Sequence, residues 1–149
     1  MAAKPFMGMA HPRLDEKSRV ILPAKFRDRL ADGLVMSKGQ EHCIYVWPRE
    51  SFASQLADVQ ARSLTNAADR WYSRILMSSS TEDVADKQGR VTLPPELRQW
   101  AGLTQELTVV GHLDHVEIWD SAAWSAYEAA YEEAFAALDE GGPPTTPPA

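Results

Sequence analysis

The chain has 149 residues with a single cysteine, and it holds no apolar run near the roughly 20 residues that cross a bilayer, which excludes an internal disulfide and argues against a membrane-spanning helix. With 44% hydrophobic and 24% charged residues it has the composition of a globular domain, not of a disordered chain. The net charge of −6 is unevenly spread: residues 1–30 carry seven basic and three acidic side chains, +4, leaving −10 for the rest. Screening confines charge effects to about 8–10 Å, so a basic patch on an acidic body can still meet a polyanion.

Residues 6–10 read as a short strand, 13–18 as a polar loop and 19–22 as a second strand. Pro23 suits a first helical turn and predicts a short helix over 24–30, with Phe26 and Leu30 on one face and Asp32-Gly33 stopping it. A strand at 34–36, a turn at 39–41 and a returning strand at 43–47 follow. Pro48 opens a second helix to about residue 59, and 62–65 is a linker. Asn66 caps a central helix with Ala68, Trp71, Tyr72, Ile75 and Leu76 at helical spacing.

A loop at 86–89, a strand at 90–93 and a short helix from Pro94-Pro95 to Gly102 come next. Residues 106–110 and 115–119 form a hairpin expected to turn around Gly111. Ser121 is expected to cap a last helix striped with Trp124, Tyr127, Tyr131, Phe135 and Leu138. Residues 141–149 are Gly, Pro and Thr with one terminal Ala, and are expected to be a disordered tail.

This series repeats itself, which dictates the architecture. Asp15-x-x-x-Arg19-Val20-x-Leu22-Pro23 recurs as Asp86-x-x-x-Arg90-Val91-x-Leu93-Pro94, 71 residues on. Cys43 to Trp47 matches His115 to Trp119, and Phe52 matches Trp124, at an offset of 72, so a loop between the motifs must absorb one residue. The predicted organisation is a first repeat at 6–52, a helical connector at 53–78, a second repeat at 79–124, a C-terminal helix at 120–140 and the tail. A half of about 50 residues is marginal alone, so both should share one core.

The Asp-x-x-x-Arg pair has two compatible readings. The aspartate can staple the turn by accepting backbone N–H bonds. It can also hold the arginine so that a planar guanidinium meets phosphate oxygens or a guanine edge. Arg13, Lys17, Lys25 and Arg27 surround Asp15 and Arg19 and make the first copy the expected contact surface. Asp86 and Arg90, with Gln88 and Glu96 where the first copy has lysines, are expected to be structural or a secondary contact.

Other constellations point to no chemistry. His112-x-x-His115 has no third ligand at a recognisable spacing, so both are read as solvated loop histidines and no metal is expected. His42 and Cys43 are neighbours on a strand and face opposite sides, which precludes a nucleophile–base pair. The aromatic stripes are read as core or subunit packing in preference to base-stacking platforms. No glycine-rich phosphate loop, serine elbow or catalytic carboxylate pair is found, so no enzyme activity, cofactor or small-molecule substrate is expected.

Laid side by side, the two copies resemble the MraZ family of bacterial transcriptional regulators. The resemblance rests on Met7-Gly8, the run from Arg13 to Arg19, Leu22-Pro23-Ala24-Lys25-Phe26-Arg27, Val46-Trp47-Pro48, Asp86 to Arg90, Ala101-Gly102-Leu103 and Val116 to Asp120, and it covers residues 6–138. It implies an α+β fold of tandem AbrB-like repeats forming a pseudo-symmetric double swapped-hairpin β-barrel with flanking helices. It implies a homo-oligomeric ring of eight or more subunits in the cytoplasm, associated with the nucleoid. It implies a sequence-specific regulator, commonly a repressor, on short G-rich direct repeats of double-stranded DNA upstream of the division and cell-wall gene cluster, with Asp15 and Arg19 in the DNA-reading loop. Ser18 departs from the glycine usual in that loop, and must adopt whatever geometry glycine served. A rival expectation is an AbrB-like interaction module, antitoxin-like or a scaffold ring, that binds no operator. Its discriminating observation would be a co-purifying protein and no shift of the upstream DNA.

Overall fold

The computed structural model describes residues 4–62 and 65–139; the tail expected at 141–149 and half of the linker expected at 62–65 lie outside them. Its elements run β1 (Met9–Ala10), β2 (Arg19–Ile21), α1 (Ala24–Leu30), β3 (Leu34–Lys38), β4 (Ile44–Pro48), α2 (Arg49–Ala61), α3 (Ala67–Ser79), β5 (Thr81–Asp83), β6 (Arg90–Thr92), α4 (Pro95–Ala101), β7 (Leu107–His112), β8 (His115–Asp120) and α5 (Ser121–Ala136). A 3₁₀ turn, Gln40–His42, joins β3 to β4.

Six strands form one antiparallel sheet in the order β1-β7-β8-β4-β3-β5, and β2 and β6 form a separate two-stranded ribbon. The order is a palindrome of the two copies. β1 of the first copy pairs with β7 of the second, and β5 of the second with β3 of the first. The ribbon centres on Val20 opposite Val91, and the middle of the sheet on Tyr45 opposite Glu117. Each centre joins residues equivalent by the repeat, so one pseudo-two-fold relates the halves. The fold is thus the expected α+β pair of AbrB-like repeats. Among the described residues no ladder joins the sheet to the ribbon, so the barrel is not closed.

One core fills the space between sheet and ribbon and draws on both copies. Val20, Leu22, Val91 and Leu93 enter it from the ribbon side, Phe26, Leu30, Leu97 and Ala101 from α1 and α4, and Leu34, Met36, Ile44, Val46, Val116 and Ile118 from the sheet. Alternation sends Val35 and Trp47 to the opposite face of the sheet. There Phe52 of α2 packs on Trp47 and Trp124 of α5 packs on Trp119, each pair with ring centroids 5.2 Å apart. Both faces of the central strands are covered, which explains their nearly unbroken burial.

The helix boundaries show where local signals hold. Asn66 Oδ1 accepts from the backbone N–H groups of Ala68 and Asp69 at 2.8 and 3.2 Å, as an N-cap should. Ser121 is not a cap: it is the first helical residue, after Asp120, and its hydroxyl lies 2.9 Å from that of Thr108. The stripe of α5 packs only in part, with Tyr127 and Tyr131 ring centroids 4.7 Å apart while Phe135 is 78% exposed.

The repeat offset drifts in two steps. Three residues separate α1 from β3, but five separate α4 from β7. Gly39 and Cys43, bonded at 2.7 Å, then enclose three residues, where the equivalent pair His112 and His115 encloses two. The second hairpin therefore turns at Leu113-Asp114, with Leu113 at φ +65°, and not around Gly111. Gly111 is small for another reason: a Cβ there would lie 2.5 Å from the Met7 backbone nitrogen. Phe6 and Leu113 exchange backbone bonds of 2.8 and 3.1 Å beside that contact.

Gly111→Ala should therefore push the residue 6–7 segment off the hairpin and withdraw Phe6 from the core. We expect a loss of about 1–3 kcal/mol, the range for backbone-blocking and overpacking changes, measured by urea unfolding. Unchanged stability would show that the segment does not dock there.

Candidate nucleic-acid interface

The ribbon presents its outer face through strand alternation. Val20 and Val91 point into the core at 1% and 2% exposure, so their neighbours Arg19, Ile21, Arg90 and Thr92 turn outward. Arg19 lies opposite Thr92 and Arg90 opposite Ile21, which makes the two arginines diagonal neighbours on one face. Ile21 between them is 50% exposed.

Each arginine rises from a loop closed by its aspartate. Asp15 Oδ1 accepts from the backbone N–H groups of Lys17 and Arg19 at 2.8 and 2.9 Å, and Oδ2 from Arg19 Nε at 2.9 Å. In the second copy Asp86 Oδ1 accepts from Gln88 and Arg90, both at 2.9 Å, and Oδ2 from Arg90 Nε at 2.7 Å. The turn-staple and the arginine-holding readings are thus one arrangement. The Nε contact leaves the terminal guanidinium nitrogens outside the carboxylate bond, and the side chains of Arg19 and Arg90 stay 26% and 30% exposed.

Backbone geometry confirms the loop equivalence. Ser18 stands at φ +61°, in the left-handed region, where the second copy has Gly89 at φ +81°. Serine therefore bears the conformation that glycine adopts freely, and the loop keeps its shape.

The donated N–H bonds also set the protonation of the loops. The backbone N–H of Arg19 is the largest influence holding the Asp15 carboxyl below its ordinary value, followed on the lowering side by the Arg19 side chain and the N–H of Lys17. Arg90 and Gln88 do the same for Asp86. Both carboxylates therefore stay ionised at neutral pH and keep their arginines oriented.

The other basic residues expected at the interface fall into different settings. Lys17 is exposed on the first loop. Arg13 pairs with Glu106 at 3.2 Å, both about 60% exposed, at the isolated bridge joining their backbones. Lys25 Nζ donates to the Met9 carbonyl at 2.7 Å, tying α1 to β1. Arg27 Nε donates to the Leu22 carbonyl at 3.0 Å, and Arg98, its equivalent, donates to Leu93 at 3.0 Å. These last two bonds brace each short helix to its own ribbon strand. Residues 15–27 and 86–98 together carry seven basic and four acidic side chains, +3, on a chain of −6.

Strand pairing places Arg90, expected to be structural or a secondary contact, on the same outer face as Arg19, which residue order alone does not show. His112 and His115 are expected to be solvated and without a third partner, and the His112 side chain is 58% exposed. In the structure the His115 side chain is only 13% exposed and contacts Glu117, which also meets His112. Those three are the described residues whose side chains could hold a metal ion. The third partner was hidden because it comes from strand alternation across a turn, not from a linear motif. His42 and Cys43 are not strand neighbours as expected: His42 ends the 3₁₀ turn and stacks on Trp100 at 3.9 Å, while Cys43 precedes β4, buried with its thiol pushed far up and its Sγ on the Gln40 carbonyl, so the two have separate partners.

Comparisons with known proteins converge. The family model for the MraZ protein, whose description adds a likeness to antitoxins, matches residues 6–75 and again 76–141. A protein of Salinispora tropica called transcriptional regulator MraZ is 49% identical over 136 residues, covering 91% of this chain and 96% of that protein. Its namesake in Micrococcus luteus is 50% identical over 135 residues, 91% and 94% of the two chains. That of Paenarthrobacter aurescens is 48% identical over 139 residues, 93% and 97%.

The depressed aspartates give a signed pH dependence. Their folded values lie below the ordinary 3.8, so the stabilisation they lend the loops is complete above that value and is lost as pH falls through the folded values. Amide resonances of Lys17, Arg19, Gln88 and Arg90 should hold steady from pH 7 down to about 4 and move only below it. Movement centred above the usual aspartate range would contradict the geometry.

Proposed function

The chain belongs to the MraZ family of transcriptional regulators, and from that premise we propose that it binds double-stranded DNA sequence-specifically through the outer face of the β2–β6 ribbon. The observation that carries the reading is the pair of carboxylate-braced arginines on that one exposed face. A guanidinium held by a single Nε bond keeps a planar donor pair suited to the O6/N7 edge of guanine. Arg19 reads base edges, Asp15 holds it, and Lys17 holds phosphate. Arg13 hands its guanidinium from Glu106 to a phosphate at little cost, since an exposed ion pair contributes only about 0–1 kcal/mol. Lys25 and Arg27 add positive potential at the rim while bracing α1. Asp86 and Arg90 form the secondary contact beside Arg19.

One subunit offers few contacts, so useful affinity requires several ribbons on repeated sites. We assign that multiplicity to a homo-oligomeric ring of eight or more copies acting on short G-rich direct repeats upstream of the division and cell-wall cluster, as a repressor in the cytoplasm and nucleoid. The apolar surface left on α3 and α5 supports self-association: Trp71 is 61%, Ile75 48% and Phe135 78% exposed. Among the described residues no helix is long and apolar enough to cross a membrane.

The same exposed aromatics suit the rival reading, an interaction module that shifts no DNA. A gel shift with DNA from upstream of the protein's own gene separates them. Wild type should bind with a log–log salt slope of about −0.9 per phosphate neutralised. Arg19→Ala should weaken binding by about 100-fold or more across the assembly, with the oligomer unchanged by light scattering, and Arg90→Ala should cost less. A flat salt dependence, or no shift by wild type, would overturn the proposal.

A further inference from the structure

The tip of the β7–β8 hairpin carries a group of side chains that the DNA-binding reading does not use. His112 and His115 are a cross-strand pair, and Glu117 is two residues along β8 from His115, so all three share one face. Glu117 Oε2 lies 3.0 Å from His112 Nδ1 and 3.3 Å from His115 Nε2, and the three ligand atoms fall within 4.8 Å of one another. We infer that this trio is a binding site for a divalent transition-metal ion of the zinc class, which takes His112 Nδ1, His115 Nε2 and Glu117 Oε2.

The spacing suits the ion. Tetrahedral bonds of about 2.0–2.1 Å place ligand atoms about 3.3–3.4 Å apart. The two observed separations need only a small opening as the ion replaces the hydrogen bonds. The outer contacts fit as well. Asp114 Oδ1 lies 2.8 Å from His115 Nδ1, which leaves Nε2 of that ring for the metal. Trp119 Nε1 donates to Glu117 Oε1 at 3.0 Å and leaves Oε2 for the metal. A carboxylate on the far ring nitrogen and a donor on the far carboxylate oxygen are the supports that metal ligands use.

The walls of the site suit a partly desolvated ion. Tyr45 and Trp47 rings stand 4.7 and 5.6 Å from the His115 ring. His112 and Glu117 also line a cleft of about 340 Å³ with Gln40, Glu41 and Trp124, which gives water access to a fourth coordination position. Two imidazoles and one carboxylate select zinc, cobalt, nickel or copper over magnesium or calcium, which take all-oxygen sets.

The repeat sharpens the inference. The positions equivalent to His112, His115 and Glu117 in the first copy are Gly39, Cys43 and Tyr45. Cys43 is buried and its thiol is held protonated by that burial. The ligand set therefore belongs to the second copy alone. His11 and His42 are engaged elsewhere, with Thr108 and with Trp100. One ion per chain follows. Bound there, it would cross-brace the hairpin tip against which Phe6 docks through Leu113.

The test is calorimetric titration of ZnCl₂ into the untagged full-length protein, repeated with CoCl₂ while following visible absorption. Wild type should take up one ion per chain, gain the intense visible bands of four-coordinate cobalt and melt at a higher temperature with zinc. His112→Ala changes an exposed side chain and should abolish uptake without unfolding; His115→Ala should do the same. Asp114→Asn should weaken zinc by about 10–100-fold, as removal of an outer partner does. Absence of saturable uptake, uptake indifferent to both histidine variants, or equal binding of magnesium would overturn the site. None of these results depends on DNA binding.

Discussion

The pairing of Val20 with Val91 is the contact on which the molecule depends. Each valine is the midpoint of a three-residue strand too short to stand alone, and each completes the other's ribbon. The bonds beyond the ladder follow the same symmetry, with Leu22 N–H donating to Gly89 and Leu93 N–H to Ser18, at 2.8 and 2.9 Å. Neither repeat can bury its own half of the core, because the sheet too exchanges its edge strands between copies. Folding of one half is therefore folding of both. The outward positions flanking the valines come as a consequence: a ribbon with its middle residue sunk in a core must display the residues on either side.

On that display rests the arginine geometry. A mobile arginine loses considerable side-chain entropy on ordering at a binding surface. The aspartate removes part of that cost beforehand, since Arg19 Nε is already held at 2.9 Å and the loop carrying it is closed by four further bonds. The carboxylate can do this only while ionised, and the donated backbone N–H groups ensure that it is. The same logic operates at Asp86, so the duplication doubles a preorganised donor and does not merely repeat a sequence.

Legible in the sequence were the duplication, with the single core it requires, and the contacts that are local. Asp15 meets Arg19 four residues on, Asn66 caps the turn it begins, and Phe26 and Leu30 share a helical face; each follows from short-range chemistry. The partners supplied by the other copy were not legible. Nothing in the residue order announces that Arg13 meets Glu106, that β1 crosses to β7, or that Arg90 is carried to the face of Arg19. Gly111 misled because a glycine in a hairpin reads as a turn, whereas it is there to admit the Met7 backbone, and Leu113 takes the left-handed turn position instead. Glu117 escaped notice beside the histidines because strand alternation, not spacing in a helix or loop, brings it to them.

In the proposed mode of binding the duplex lies against the outer face of the ribbon. Site-specific photocrosslinking tests it directly, with a photoreactive side chain placed at Ile21, 50% exposed between Arg19 and Arg90, or at Phe135, 78% exposed on α5. With DNA from upstream of the protein's own gene, the probe at position 21 should join to the duplex and the probe at 135 should not. Crosslinking confined to position 135, with the ribbon silent while binding is intact, would contradict the account.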